Sequence, residues 1–426
     1  MNNKLTCMSK RKKQHALVPR LRFPEFRERP PWAPEPIGTY LTESREKGST
    51  GDEARKLTVK LWGKGVFEKE EYLQGSANTQ YYIRRAGQFI YSKLDFLNQA
   101  FGIIPDDLDG YESTVDLPCF NVAEGLDGNF LLEYVCRPSF YKKVGEIADG
   151  GRKARRIQVD TFLDFLMLLP PDFSEQQKIA ECLGSLDELI AAEARKLAAL
   201  RDHQKGLMQQ LFPREGETQP RLRFPEFRDG AAWDSTRLGD FATIVKGKGI
   251  SKADITADGT LPAIRYAELY TVYDEVIREV ISRTHLDSDG LVLSEQDDVI
   301  IPASGETKAD IATAASVSIS GVALGSDLNV IRSHLHGPFF SYYLNGSKRR
   351  DIAKVAQGDT VAHLYPGQLE NVEVSYPTPD EQRKIADCLS ALDARIVGQV
   401  KKLDALGTHK RGLMQQLFPN PEGGEA

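Results

Sequence analysis

No stretch of this chain holds the run of about 18 apolar residues that a membrane-spanning helix requires. The N-terminal segment MNNKLTCMSKRKKQHALVP is basic but has no apolar core region, which excludes a secretory signal; Met8 is an alternative first residue. The five cysteines, Cys7, Cys119, Cys136, Cys182 and Cys388, are odd in number and form no C-x-x-C. That argues against a disulfide framework or a structural zinc and fits a reducing cytoplasm. Also missing are the phosphate-loop pattern G-x-x-x-x-G-K-[ST], the zinc motif H-E-x-x-H and the nucleophile elbow G-x-S-x-G. Nor is there an excess of positive charge: 55 Lys and Arg face 61 Asp and Glu, a net charge of −6. Any nucleic-acid contact must therefore come from local basic patches.

What the sequence does contain is a repeat. Its 426 residues are enough for two or more domains. GLMQQLFP at 206–213 returns at 412–419, and the duplication extends to 174–213 on 380–419, an offset of 206 with 23 of 40 positions identical. A second block, PRLRFPEF, stands at 19–26 and again at 220–227, an offset of 201, with Trp32 matching Trp233 and Gly38 matching Gly239. The offsets differ by 206 − 201 = 5, so the second half carries five extra residues between its blocks. The plan is block, variable domain, helix, written twice, with PREGETQP (213–220) as the hinge.

The C-terminal block reads as a long helix. Ile179, Leu183, Leu186, Ile190, Leu197, Leu200, Leu207 and Leu211 alternate spacings of four and three, as do Ile385, Leu389, Leu392, Ile396, Leu403, Leu406, Leu413 and Leu417. Polar residues interrupt both seams at matching places, Glu193 with Gln399 and Gln204 with Lys410. Asp172 or Ser174, and Asp380, are expected N-caps, and Pro213 and Pro419 end the helices. Roughly 38 residues at 1.5 Å each give about 57 Å, more than a small core needs. Two such helices are expected to pack together, antiparallel because connections are then short, with one domain at each end. His203 and His409, repeat partners within them, are expected to be packing or interface residues, and Cys182 and Cys388 small buried hydrophobes.

The variable domains are mixed. GQFIYSKL (87–94), QDDVIIPAS (296–304) and NVEVSYP (371–377) predict strands; 130–148 and 339–356 predict helices, related at an offset of 209 through Phe130 with Phe339 and Tyr134 with Tyr343. Each helix leads into an Ala-x-Gly loop, at 148–156 and 356–363. Basic residues gather there: Lys142, Lys143, Arg152, Lys153, Arg155 and Arg156 in the first half, Lys348, Arg349, Arg350 and Lys354 in the second. Such side chains suit phosphates and guanine edges. The segment 79–85, TQYYIRR, interleaves aromatic and basic residues but reads first as a half-buried strand. GKG (63–65) and KGKG (246–249) are too short to specify a phosphate loop and read as solvated turns, and HLH (334–336) lacks further metal ligands. Lys60, Lys64, Arg84, Arg85, Lys93, Lys246, Lys248, Lys252, Lys308, Thr360 and His363 complete the candidate DNA contacts. No catalytic, cofactor-binding or metal-binding residue is assigned.

The twice-written PRLRFPEF…W…G block and the blocks PPDFSEQQKIAECLGSLDELI (170–190) and PTPDEQRKIADCLSALDARI (377–396) resemble the specificity subunit of type I restriction-modification systems over about residues 19–419. The resemblance implies an α/β fold of the α+β type: two target-recognition domains separated by two long helices in an antiparallel coiled coil, with an internal pseudo-two-fold repeat. The corresponding division is a basic tail (1–18), recognition domain 1 (19–173), spacer helix 1 (174–212), hinge and recognition domain 2 (213–379), spacer helix 2 (380–418) and a C-terminal tail (419–426). It further implies a noncatalytic subunit that reads a split site in double-stranded DNA. Two methyltransferase subunits holding S-adenosylmethionine and restriction subunits driven by ATP with Mg would dock on it. The competing reading is a coiled-coil scaffold whose variable domains bind protein.

Overall fold

The computed structural model describes residues 17–70, 75–146, 156–214, 216–358 and 361–419. It falls into two compact units, Met1–Glu193 with Lys402–Ala426, and Ala194–Lys401. Both boundaries lie inside long helices, Phe173–Leu211 and Pro379–Leu417, so each unit holds the first part of one helix and the last part of the other.

The first unit is mixed α/β. A four-stranded antiparallel sheet runs in the order Leu41–Glu43, Cys119–Val122, Phe89–Tyr91, Phe101–Ile103. Phe89, Ile90 and Tyr91 are all buried, so the apolar run FIY forms a strand covered on both faces. Phe89, Tyr91, Phe96, Phe101, Phe120 and Phe162 form its aromatic core. The segment 79–85 forms the strand Gln80–Ile83, as expected. The helical stretch from 130 is two helices, Gly128–Val135 and Pro138–Glu146, broken before Pro138 because proline disfavours a helical residue ahead of it.

The second unit carries a five-stranded sheet in the order Thr243–Lys246, Leu328–Arg332, Asp298–Pro302, Ala315–Val317, Val276–Ile277, antiparallel except for the last pair. Its matching helices, Gly337–Tyr343 and Arg349–Val355, are joined by a π-turn at Leu344–Lys348 where the first unit breaks. The expected strands at 296–304 and 371–377 are Asp298–Pro302 and Glu373–Tyr376.

The two repeated blocks meet in a joint that recurs in each unit. In the first, Arg22 donates to both carboxylate oxygens of Glu175 at 2.8 and 2.7 Å and to the carbonyl of Arg29, and the Trp32 indole donates to Glu175 at 3.3 Å. In the second, Arg223 does the same with Glu381 at 2.9 and 2.5 Å and with the carbonyls of Gly230 and Ala231. The next residue, Gln176 or Gln382, accepts from the backbone N–H of Asp127 or His336 just ahead of the aromatic helix. The Tyr134 and Tyr343 hydroxyls each accept a backbone N–H, from Leu168 and Ser375, of the strand that leads to the long helix.

The joint also receives the end of the opposite long helix. Leu21 N–H bonds the Gln416 carbonyl in one unit, and Leu222 N–H bonds the Gln210 carbonyl in the other. Phe418 then packs among Trp32, Phe130 and Tyr134, under the Arg137 guanidinium. Phe212 packs against Phe339 and Tyr343, beside Trp233. The seam leucines and isoleucines of both helices are buried or half-buried. Within the first unit the helices run antiparallel: Lys402 reaches Glu193 at 2.5 Å and Lys410 reaches Asp187 at 2.6 Å, one number rising as the other falls.

Three local expectations change. Asp172 caps the first helix through Ser174, but the second helix begins at Pro379, so Asp380 lies in its first turn, bonded to Arg383. His203 and His409 are exposed on the helix side away from the seam, which removes the packing alternative and leaves the interface one. Cys182 and Cys388 are half-buried beside the seam rather than enclosed by it.

Candidate nucleic-acid interface

In the first unit most of the candidate lysines gather around one turn, Phe96–Asn98. The hairpin Leu57–Val59/Val66–Glu68 carries Lys60 and Lys64 at its tip. That tip is tied to the turn by Trp62 N–H to Asn98 O at 2.8 Å and Gly63 N–H to Gln99 O at 2.9 Å. The helix Pro138–Glu146, bearing exposed Lys142 and Lys143, packs on the same turn. Lys93 lies three residues before it, its carbonyl accepting Ile157 N–H, and Arg156 pairs with Asp116 at 3.6 Å. Lys60 rests over the Phe67 ring, 4.2 Å from its centroid.

Two neighbours in sequence separate cleanly. Arg84 is only 2% exposed and donates to Ser113 Oγ and to the carbonyls of Ser44 and Leu117, so it is a strut inside the domain and not a contact for a ligand. Burial pushes its guanidinium below the usual arginine range. Arg85 points out and pairs with Glu46 and Asp109. Arg152, Lys153 and Arg155 lie outside the described residues, as does Thr360.

The second unit arranges its candidates in two groups. Lys308 opens the short helix Lys308–Ile311, which packs against Arg349–Val355 and against the strand Ala362–His363. Lys354 and His363 are therefore near it, with His363 stacked on Tyr365 and the Tyr270 hydroxyl bonded to the Ser304 carbonyl close by. Lys246 ends the strand opposite Asn329, whose amide donates to Leu364 O, and Lys248 and Lys252 follow on the adjoining turn. Lys348, Arg349 and Arg350 sit elsewhere: Ser347 bonds the Pro213 carbonyl, placing this turn beside the hinge, and Lys348 pairs with Asp351. His334 packs between the Phe241 and Tyr376 rings, and burial lowers His336 below the usual histidine range. Among the described residues no three His, Cys, Asp or Glu converge as a metal site, and no helix is long and apolar enough to cross a membrane.

Comparison with known proteins shows what this arrangement is similar to. A profile described as "Type I restriction modification DNA specificity domain" matches residues 231–404. The chain is 24% identical over 200 residues to the Type I restriction enzyme MjaVIII specificity subunit of Methanocaldococcus jannaschii, covering 46% of this chain and 43% of that protein. It is 22% identical over 299 residues to the putative type I restriction enzyme MjaX specificity subunit of the same organism, covering 68% and 66%. The S subunit of a Type-I restriction-modification system from M. genitalium shares the fold, with a TM-score of 0.59 at 14% identity, over 95% of this chain and 99% of that one. So does a chain from a structure on "complex assembly and conformational transition of the type I R-M system", with a TM-score of 0.53 at 16% identity, over 92% and 98%.

Over these stretches the chain is similar to type I specificity subunits, and residues 231–404 match their DNA specificity domain. Its matches span less than half the length of the MjaVIII subunit and 66% of the MjaX one. The profile covers only the second half of the chain, yet the first half builds the matching Arg–Glu joint from the same residue types. Sequence reasoning passed over the joint residues Arg22, Glu175, Gln176, Arg223, Glu381 and Gln382, although all stand in the repeated blocks. It also passed over the exposed aromatics Trp62, Tyr270 and Tyr365, which no spacing rule marks.

Proposed function

We propose that this chain is the noncatalytic sequence-specificity subunit of a type I restriction-modification complex. Each unit reads one half of a split site in double-stranded DNA, and the two long helices act as the antiparallel coiled-coil spacer between them. The observation that carries the reading is the division of the repeat. Residues that build the joint are the same in both units, whereas the basic residues around the matched second helix differ: Lys60 and Lys64 stand on a hairpin in the first unit, and Lys308 and His363 on a short helix and strand in the second. Identical joints suit two equivalent partners, and unlike surfaces suit two different half-sites.

In this reading two methyltransferase subunits and the restriction subunits dock on the repeated parts. His203 with His409 and Gln209 with Gln415 are exposed in both copies and are available to such partners. S-adenosylmethionine, and ATP with Mg, belong to those subunits; no residue of this chain is assigned to hold them. The setting is the cytoplasm.

A mobility-shift titration of the chain assembled with its methyltransferase partner tests this. One duplex sequence should outcompete others, with affinity falling steeply as salt is raised. Equal, salt-insensitive binding to every duplex, or none, would favour a protein-binding scaffold.

A further inference from the structure

The chain has three tryptophans, and they are treated in opposite ways. Trp32 and Trp233 are 2% and 4% exposed inside the two joints, whereas Trp62 is 59% exposed at a hairpin tip. A large apolar ring held in water is the informative exception among buried aromatics. Its backbone is unusual as well. Trp62 has φ of +63° and faces Gln99 at +54°, both in the left-handed region that side-chain-bearing residues rarely adopt. Hydrogen bonds from Trp62 and Gly63 to Asn98 and Gln99 fix this conformation, so the ring stands on a braced loop. Gly63 and Gly65, at φ of +66° and +89°, complete the tight turn. Leu61 and Phe67 are also exposed at the tip, Lys60 and Lys64 flank Trp62 in sequence on the same hairpin, and the helix that carries Lys142 packs on the supporting turn.

We infer that Trp62 is a DNA-contacting wedge of the first unit: its ring stacks on a base at the half-site while the flanking lysines hold the phosphates on either side. Apolar wedges of this kind insert at a base step, where the new contacts offset the cost of unstacking, and aromatic–base stacking tolerates any base. Positive charge around an apolar ring fits a polyanion carrying aromatic faces better than an apolar protein surface. The inference rests on the proposed DNA-reading function and adds the residue and the mode of contact.

The test uses the full chain and the duplex whose methylation depends on it. Because Trp32 and Trp233 are buried, acrylamide quenching reports Trp62. The duplex should shield Trp62 from acrylamide and shift its emission. Trp62→Ala should weaken binding roughly tenfold, the scale of one lost aromatic–base stack. Trp62→Phe should retain most of the affinity, with thermal unfolding of both variants unchanged. Lys64→Ala should lower the slope of log affinity against log salt by about one. Unchanged affinity of Trp62→Ala together with unshielded Trp62 would overturn the wedge and leave DNA reading intact. Shielding by the methyltransferase subunit in the absence of DNA would also overturn it. No binding of any duplex by the wild-type chain assembled with its methyltransferase partner would overturn the proposed function itself.

Discussion

Glu175 accepts three hydrogen bonds from Arg22 and Trp32 in a place water barely reaches, with side-chain exposures of 4% for Arg22 and 1% for Glu175. Removing one partner of a buried pair leaves the other charge uncompensated, which costs about 3–5 kcal/mol. Glu175→Ala should therefore lower the unfolding free energy by about that amount, read by denaturant unfolding; a loss below about 1 kcal/mol would show that Arg22 finds other partners. The repeat announced these residues but not their task, because pattern reading ranks charged residues as surface by default. Arg84 and Arg85 show the same difficulty. Adjacent residues of an extended segment point to opposite sides, so one is a buried strut and the other a surface cation. Composition cannot distinguish them.

The long helices were legible as elements from their alternating spacing, and the observed spans, Phe173–Leu211 and Pro379–Leu417, each start and end one residue ahead of the expected 174–212 and 380–418. What spacing could not give was the chemistry at matched polar positions. In the first unit Lys410 Nζ donates to Glu133 at 2.9 Å and to Asp187 at 2.6 Å. In the second, Gln204 and the Tyr342 hydroxyl both donate to Asp393. One junction is ionic and the other neutral on one side, so the two helix ends are not interchangeable.

Burial holds Glu133 above the usual carboxylate range, with Lys410 pulling it back. Burial also works against the Lys410 charge, but Glu133 and Asp187 outweigh it and hold the amine above the usual lysine range. The Lys410 contribution is thus fully present below the unfolded lysine value of about 10.4 and is lost as pH rises through the higher folded value. Lys410→Gln leaves two acids facing each other and drives Glu133 further up. The loss should be about 2–3 kcal/mol near neutral pH, less than for a fully buried pair because Asp187 is half exposed. It should shrink as pH falls through the carboxylate range, where Glu133 binds its proton. A deficit independent of pH in unfolding titrations would contradict this.

At the scale of the whole chain, the duplication was the most legible feature. Offsets of 201, 206 and 209 in the sequence recur as matched short helices, strand pairs and helix pairs within the two units. The variable parts were legible only as mixed α/β, because their short strands pair across long sequence separations that no local pattern encodes. Matching Arg–Glu joints beneath unlike surfaces support the central proposal, that this chain decides which DNA sequence its partners modify. The direct measurement is a genome-wide map of methylated bases in a host expressing the partner methyltransferase with and without this chain. The account predicts methylation at a two-part sequence with a fixed gap, present only when the chain is present. The same methylated sequence in its absence, or none in its presence with an active methyltransferase, would contradict it.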